Sequence, residues 1–129
     1  MRTRLAILIC ALVLAASGRA LAHHSFSAEF DADKPVKLTG TLTKVEWTNP
    51  HIWIFIDVKN ADGSVTNWGF EMPGTTQLLR AGINRDTLKI GDVLTVDARR
   101  ARDGSSNANA QTIVLASTGK QVYQAPTAQ

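Results

Sequence analysis

Residues 51–70, HIWIFIDVKNADGSVTNWGF, decide the fold of this chain. Ile52, Ile54, Ile56 and Val58 alternate with Trp53, Phe55 and Asp57, the period-two pattern of a strand with one side in a core. Asn60-Ala61-Asp62-Gly63-Ser64 has the composition of a hairpin turn, and VTNWGFEM (65–72) reads as the returning strand. The pattern predicts that the isoleucines fill an interior and that Trp53 and Phe55 turn outward, where large rings need cover.

Working upstream, VKLTGTLTKVEW (36–47) places Leu38, Gly40 and Leu42 on one face and then shifts phase to Val45 and Trp47. A phase change inside a strand predicts a bulge and a bend, eased by Gly40. Downstream, GTTQLLRAGI (74–83) predicts a short helix with Thr75 or Thr76 as its N-cap, Leu78, Leu79 and Ile83 as its apolar stripe, and Gly82 near its end. TLKIGDVLTVDARRA (87–101) turns at Gly91-Asp92 into a fourth strand, RDGSSNANA (102–110) reads as a loop and QTIVLA (111–116) as a fifth strand. Five short strands with one helix between the third and fourth is the order of the oligonucleotide/oligosaccharide-binding barrel, the OB-fold. The expected fold is therefore an all-β, OB-fold-like barrel over residues 36–116. It is preceded by a lead segment at 23–35 and followed by a frayed tail at 117–129.

The first 22 residues have the layout of an export signal. Arg2 and Arg4 precede an apolar run from Leu5 to Ala16, too short to span a bilayer comfortably, and Ala20-Leu21-Ala22 supplies small residues for cleavage. Processing there leaves a chain beginning at His23, in the periplasm or secreted, with no stable membrane span. It removes Cys10, the one cysteine, and with it disulfide and thiolate chemistry. It also removes Arg2, Arg4 and Arg19, so that eleven Lys plus Arg face eleven Asp plus Glu. A neutral chain lacks the field that dominates nonspecific nucleic-acid affinity, which argues against a polynucleotide partner.

OB barrels meet ligands on the face of strands 2 and 3, flanked by the loops that follow strands 1 and 4. Carried onto this sequence, that region predicts a ligand surface of Trp47, Asn49, His51, Trp53, Phe55, Trp68 and Arg100. Two accounts compete for the outward rings. Phe26 and Phe30 of the lead segment pack over Trp53, Phe55 and Trp68, or a base or sugar stacks on them. Arg99, Arg100 and Arg102 suit an anion or simply a solvated strand end, since no glycine-rich phosphate cradle accompanies them.

His23 and His24 raise a metal question. A mature N-terminus at His23 presents an α-amine and an imidazole Nδ1 together, a chelate suited to copper(II), and His51 is the remaining histidine of the mature chain. The tentative metal set is His23, His24 and His51, with copper as the cofactor. Met72 suits copper(I) but equally a packing role at a strand end. Glu29, Asp31 and Asp33 lack the glycine and distal glutamate of a calcium loop. No complete catalytic constellation is present: Ser25 beside His24 is not a nucleophile and base by adjacency, and Glu71 serves as an acid only if burial raises its pKa.

The segments AHHSF (22–26), AEFDADKPV (28–36), GTLTKVEWTNPHIWI (40–54), TNWGFE (66–71), LLRAG (78–82) and LKIGDVLTV (88–96), in this order, resemble a family of small exported bacterial proteins of unknown function. The resemblance implies export and a compact β-rich domain, and supplies no catalytic residues. The expectation is a non-catalytic periplasmic binding or accessory module for a small ligand or a protein partner, with a copper-binding protein as the rival.

Overall fold

The computed structural model describes residues 26–126. The leader at 1–22 and both His23 and His24 lie outside the described residues. Among the described residues six strands and two short helices follow one another: α1 (Phe26–Glu29), β1 (Phe30–Glu46), β2 (Ile52–Lys59), β3 (Val65–Met72), α2 (Thr75–Arg80), β4 (Val93–Ala101), β5 (Asn107–Leu115) and β6 (Gln121–Gln124). The sheet runs β3-β2-β1-β4-β5-β6, and β3 also pairs with β5. That last pairing is parallel, through Gly69, Phe70 and Glu71 against Asn107, Ala108 and Asn109, and it closes β1, β2, β3, β5 and β4 into a ring. This is the OB-like barrel, with α2 between the third and fourth strands.

The isoleucine face of β2 decides what lies inside. Ile52, Ile54 and Ile56 are at most 1% exposed, and they pack with Leu42, Phe70, Leu94, Val96 and Ile113 in one continuous core. Burial of each such side chain stabilises the fold by roughly 1.5–3 kcal/mol. The hairpin forms at the expected turn, where the Asn60 amide donates to the Ser64 carbonyl and Asp62 Oδ1 accepts from the Ser64 amide. In β1 the register against β2 shifts between Leu42 and Lys44, which is the bulge that the change of phase predicts. β1 pairs with β4 from Phe30 to Thr41 and with β2 from Thr41 to Glu46, so one long strand serves both sides of the barrel. At the crossing Gly40 lies directly over the backbone of Asp57, and a methyl group there would overlap the Asp57 carbonyl.

Four boundaries differ from expectation. The first strand begins at Phe30 rather than at 36, so half of the lead segment is strand paired to β4 through Phe30–Ala101 and Pro35–Arg99. The fifth strand begins at Asn107, because the Asn-Ala-Asn-Ala run, polar in composition, alternates small inward alanines (Ala108, Ala110) with outward amides. The tail does not fray at 121–124. It forms β6 against β5 and buries Tyr123, an isolated aromatic whose local sequence is otherwise polar. Finally, the N-cap of α2 is Gly74, with Thr75 as the first helical residue. The capping acceptor comes from the preceding loop, where Asn49 Oδ1 accepts from both the Thr75 amide and its hydroxyl, each at 3.0 Å. Among the described residues no helix is long and apolar enough to cross a membrane.

Candidate binding face and its two clefts

Because the even residues of β2 point inward, His51, Trp53 and Phe55 share the outer surface with Gly69 and Glu71 of β3 and Asn107 and Asn109 of β5. The Trp53 and Phe55 rings lie side by side, with centroids 6.4 Å apart and planes 23° from parallel. They rest over Gly69. A Cβ at that position would stand 3.1 Å from Phe55 Cε1, 3.4 Å from Trp53 Cε3 and 2.6 Å from Asn107 Oδ1. The missing side chain thus lets two rings and one amide lie low on the sheet. Both rings are half-buried, and Lys44 Nζ sits 5.2 Å from the Phe55 centroid.

The lead segment borders this face rather than sealing it. Phe30 is buried, whereas Phe26, its ring neighbour at 5.7 Å, is 41% exposed. Arg102 holds the segment in place: its Nε donates to the Ser27 carbonyl at 2.8 Å, its amide to the Glu29 carbonyl at 2.9 Å, and Nη1 lies 3.5 Å from Asp31. The arginine that composition offered to an anion is therefore a clasp on the chain itself.

Two clefts open beside the clasped segment. One, of about 390 Å³, is lined by Phe26, His51, Glu71, Met72, Asn109 and Tyr123 among others. Glu71 is only 8% exposed, and this desolvation pushes its carboxyl above the usual carboxylate range. His51 opposes the shift, with Nδ1 3.4 Å from Oε2, and Glu29 adds to it. Asn109 Nδ2 donates to Glu71 Oε1 at 3.4 Å, and Asn109 Oδ1 accepts from Gln111 Nε2 at 2.8 Å. Burial also raises the Tyr123 hydroxyl to about 12, so it is a neutral donor at any physiological pH. The second cleft, of about 320 Å³, has Trp53 against Glu29, Phe30, Arg102, Asp103, Ser105 and Asn107.

The remaining candidates divide. His51, Trp53 and Phe55 come together on the expected face. Trp68 does not: it pairs with Ile56, stacks at 6.3 Å on Phe70 and belongs to the core, because its place in the β3 alternation is inward. Arg100 also leaves the proposed face. Its guanidinium lies 5.4 Å from the Trp68 centroid, Nη2 donates to the Gly104 carbonyl at 3.1 Å, and the buried Nε has no hydrogen-bond partner among the described residues. Trp47 lies at the other side of the barrel with Val45, Leu78, Ile83 and Leu88, beneath Arg85 at 5.8 Å, since the β1 bulge has turned it toward the α2 end. Asn49 is committed to α2. Conversely, Glu71, Asn107 and Asn109 belong to the face and were not among the expected ligand residues. For Glu71 the signal was its odd-numbered place in β3; for the two asparagines it was the Asn-Ala alternation. Among the described residues no three His, Cys, Asp or Glu side chains group as a metal site.

Among solved structures, the chain is similar to the crystal structure of the mitochondrial single-stranded DNA binding protein Rim1 from S. cerevisiae, at 12% identity and a TM-score of 0.49, over 67% of this chain and 94% of that one. No curated protein shows significant similarity to it. A family model does match, over residues 11–110, which take in α1, the whole of β1 to β4 and the start of β5. The chain belongs to a family of unknown function, DUF6152.

Proposed function

We propose that this protein is an exported, non-catalytic binding or accessory module of the bacterial periplasm, meeting a small ligand or a protein partner on the outer face of β2 and β3. The observation that carries the reading is the pair of rings at Trp53 and Phe55, turned outward and left half-exposed although a lead segment is clasped beside them. A barrel needing only cover for these rings has Phe26 available for it, and Phe26 stays 41% exposed. Export rests on the leader, with its Ala20-Leu21-Ala22 cleavage pattern and His23 as the first mature residue. NMR titration with mixtures of chemically diverse small molecules tests the reading. Shifts are expected to cluster at Trp53, Phe55, His51 and Asn107. Shifts confined to the Trp47 end, or no shift anywhere on the outer face of β2 and β3, overturn it.

A copper-binding role is the second reading, favoured by one juxtaposition. His51, Glu71 and Met72 line the same cleft as Phe26, two residues after His24 in sequence. Calorimetric titration of copper(II) into chain beginning at His23 is expected to show one tight site, weakened at least tenfold by His51→Ala. Equal binding by the variant removes His51 from any such site.

A further inference from the structure

The Trp53 cleft has a chemistry narrower than "small ligand". Its more exposed aromatic wall is the Trp53 indole, lying low over Gly69 and opposite the buried Phe30, an extended apolar plane with a polar rim. Around that plane stand two carboxylates, Glu29 and Asp103, the Ser105 hydroxyl and the Asn107 amide. The Asp103 carboxyl is held below the usual range by hydrogen bonding from Ser105, whose amide donates to Oδ1 at 2.9 Å. The Asn107 side-chain amide makes no hydrogen bond among the described residues, so both its donors and its acceptor are available. Among the described residues the one cation lining the cleft is Arg102, whose guanidinium is occupied by Ser27 and Asp31.

Each candidate ligand class meets this set differently. A phosphate-bearing chain is repelled by the two carboxylates, and the nearby cations are already paired, Arg102 with the lead segment and Lys44, over Phe55, with Glu46. A purely apolar ligand leaves the planar polar groups desolvated and unpaired. A ring with one C–H face and hydroxyls around its edge matches both halves: the C–H face lies on the indole, and each hydroxyl can donate to a carboxylate or exchange hydrogen bonds with an amide. The size agrees, because about 320 Å³ lies at the small end of ligand sites.

We propose that the cleft between Trp53, Asn107, Asp103 and Glu29 is a subsite for a neutral sugar ring, stacked on the Trp53 indole. The proposal rests on the binding-module reading above and assigns its ligand class. Phe55, under Lys44, continues the same plane toward the β2–β3 turn and would carry a second ring of an oligosaccharide.

The test follows the three indole N–H signals of the full mature chain by NMR during titration with neutral oligosaccharides of glucose and of N-acetylglucosamine, and separately with a short oligothymidylate. The expected result is a saturable shift of the Trp53 indole by at least one of the sugar series, with the Trp47 and Trp68 signals unmoved. Trp53→Ala is expected to lose at least tenfold in affinity, Trp53→Phe less, and Asn107→Ala about threefold, all with unchanged far-UV circular dichroism. Should Trp53→Ala fail to fold, the Asn107→Ala and Trp53→Phe variants carry the comparison. No shift from any sugar overturns the assignment. Oligothymidylate binding at Trp53 with steep salt dependence overturns it in favour of a nucleic acid. If sugars fail while other small molecules still shift Trp53, only the ligand class falls; if nothing moves Trp53, the binding-module reading falls with it.

Discussion

His51 Nδ1 stands 3.4 Å from Glu71 Oε2, the half-exposed imidazole against a carboxylate that is almost wholly buried. The pair joins the start of β2 to the end of β3 and forms the polar corner of the outer face. Burial disfavours the Glu71 charge, and an imidazolium at His51 favours it.

The sign of the resulting pH dependence follows from the raised pKa. The folded carboxyl holds its proton to higher pH than the unfolded one, whose ordinary value is 4.5, so the native state binds the extra proton. This contribution is fully present below the unfolded value and is lost as pH rises through the folded one. Relative to Glu71→Gln, the wild type is expected to lose thermal stability as pH rises above the ordinary carboxyl value of 4.5 and through the raised folded one. Parallel melts of the two proteins check it, and curves that keep a constant separation contradict it.

Inward and outward rings on the same hairpin are expected to respond differently to truncation. Phe70→Ala removes a fully buried ring and is expected to cost about 3–5 kcal/mol, whereas Trp53→Ala, at a half-exposed site, is expected to cost about 1 kcal/mol. Urea denaturation measures both. Equal losses would mean that Trp53 is structural rather than available.

Two glycines test two kinds of close approach. Gly40→Ala places a methyl against the backbone carbonyl of Asp57, which cannot swing aside, and is expected to destabilise the crossing of β1 severely. At Gly69→Ala the nearest atom is the free end of Asn107, so folding is expected to survive while the Trp53 and Phe55 rings lift. Near-ultraviolet circular dichroism reads the second change and thermal melting the first.

Asn49→Ala deletes the acceptor for the Thr75 amide and hydroxyl and is expected to cost about 1 kcal/mol, with Asn49→Asp retaining most of the stability. Thermal denaturation of the two variants distinguishes this anchoring role from a ligand role, under which both substitutions leave stability untouched.

Removing the clasp is expected to release the lead segment without melting the barrel. In Arg102→Ala, the contacts to Ser27 and Asp31 disappear, and hydrogen exchange of residues 26–33 is expected to rise while β2 and β3 stay protected. Faster exchange throughout the barrel would contradict this division.

The sequence by itself determined which side of each central strand is buried. Strand side chains alternate strictly, so Ile52, Ile54 and Ile56 commit β2 to one orientation, and His51, Trp53 and Phe55 follow to the other. The bulge was equally legible, since a phase shift between Leu42 and Val45 is a local property of the chain. Tertiary structure alone decided the destinations of long-range partners. Arg102 reaches back 75 residues to Ser27, Asn49 caps a helix 26 residues ahead, and Tyr123 gives an apolar anchor to a segment too polar to predict its own strand. Trp68 and Arg100 were both expected on the outer face, for different reasons. Trp68 shares the inward side of β3 with Phe70 and Met72, whereas Arg100 on β4 is drawn to the Trp68 ring and the Gly104 carbonyl, partners that only the closed barrel brings to it.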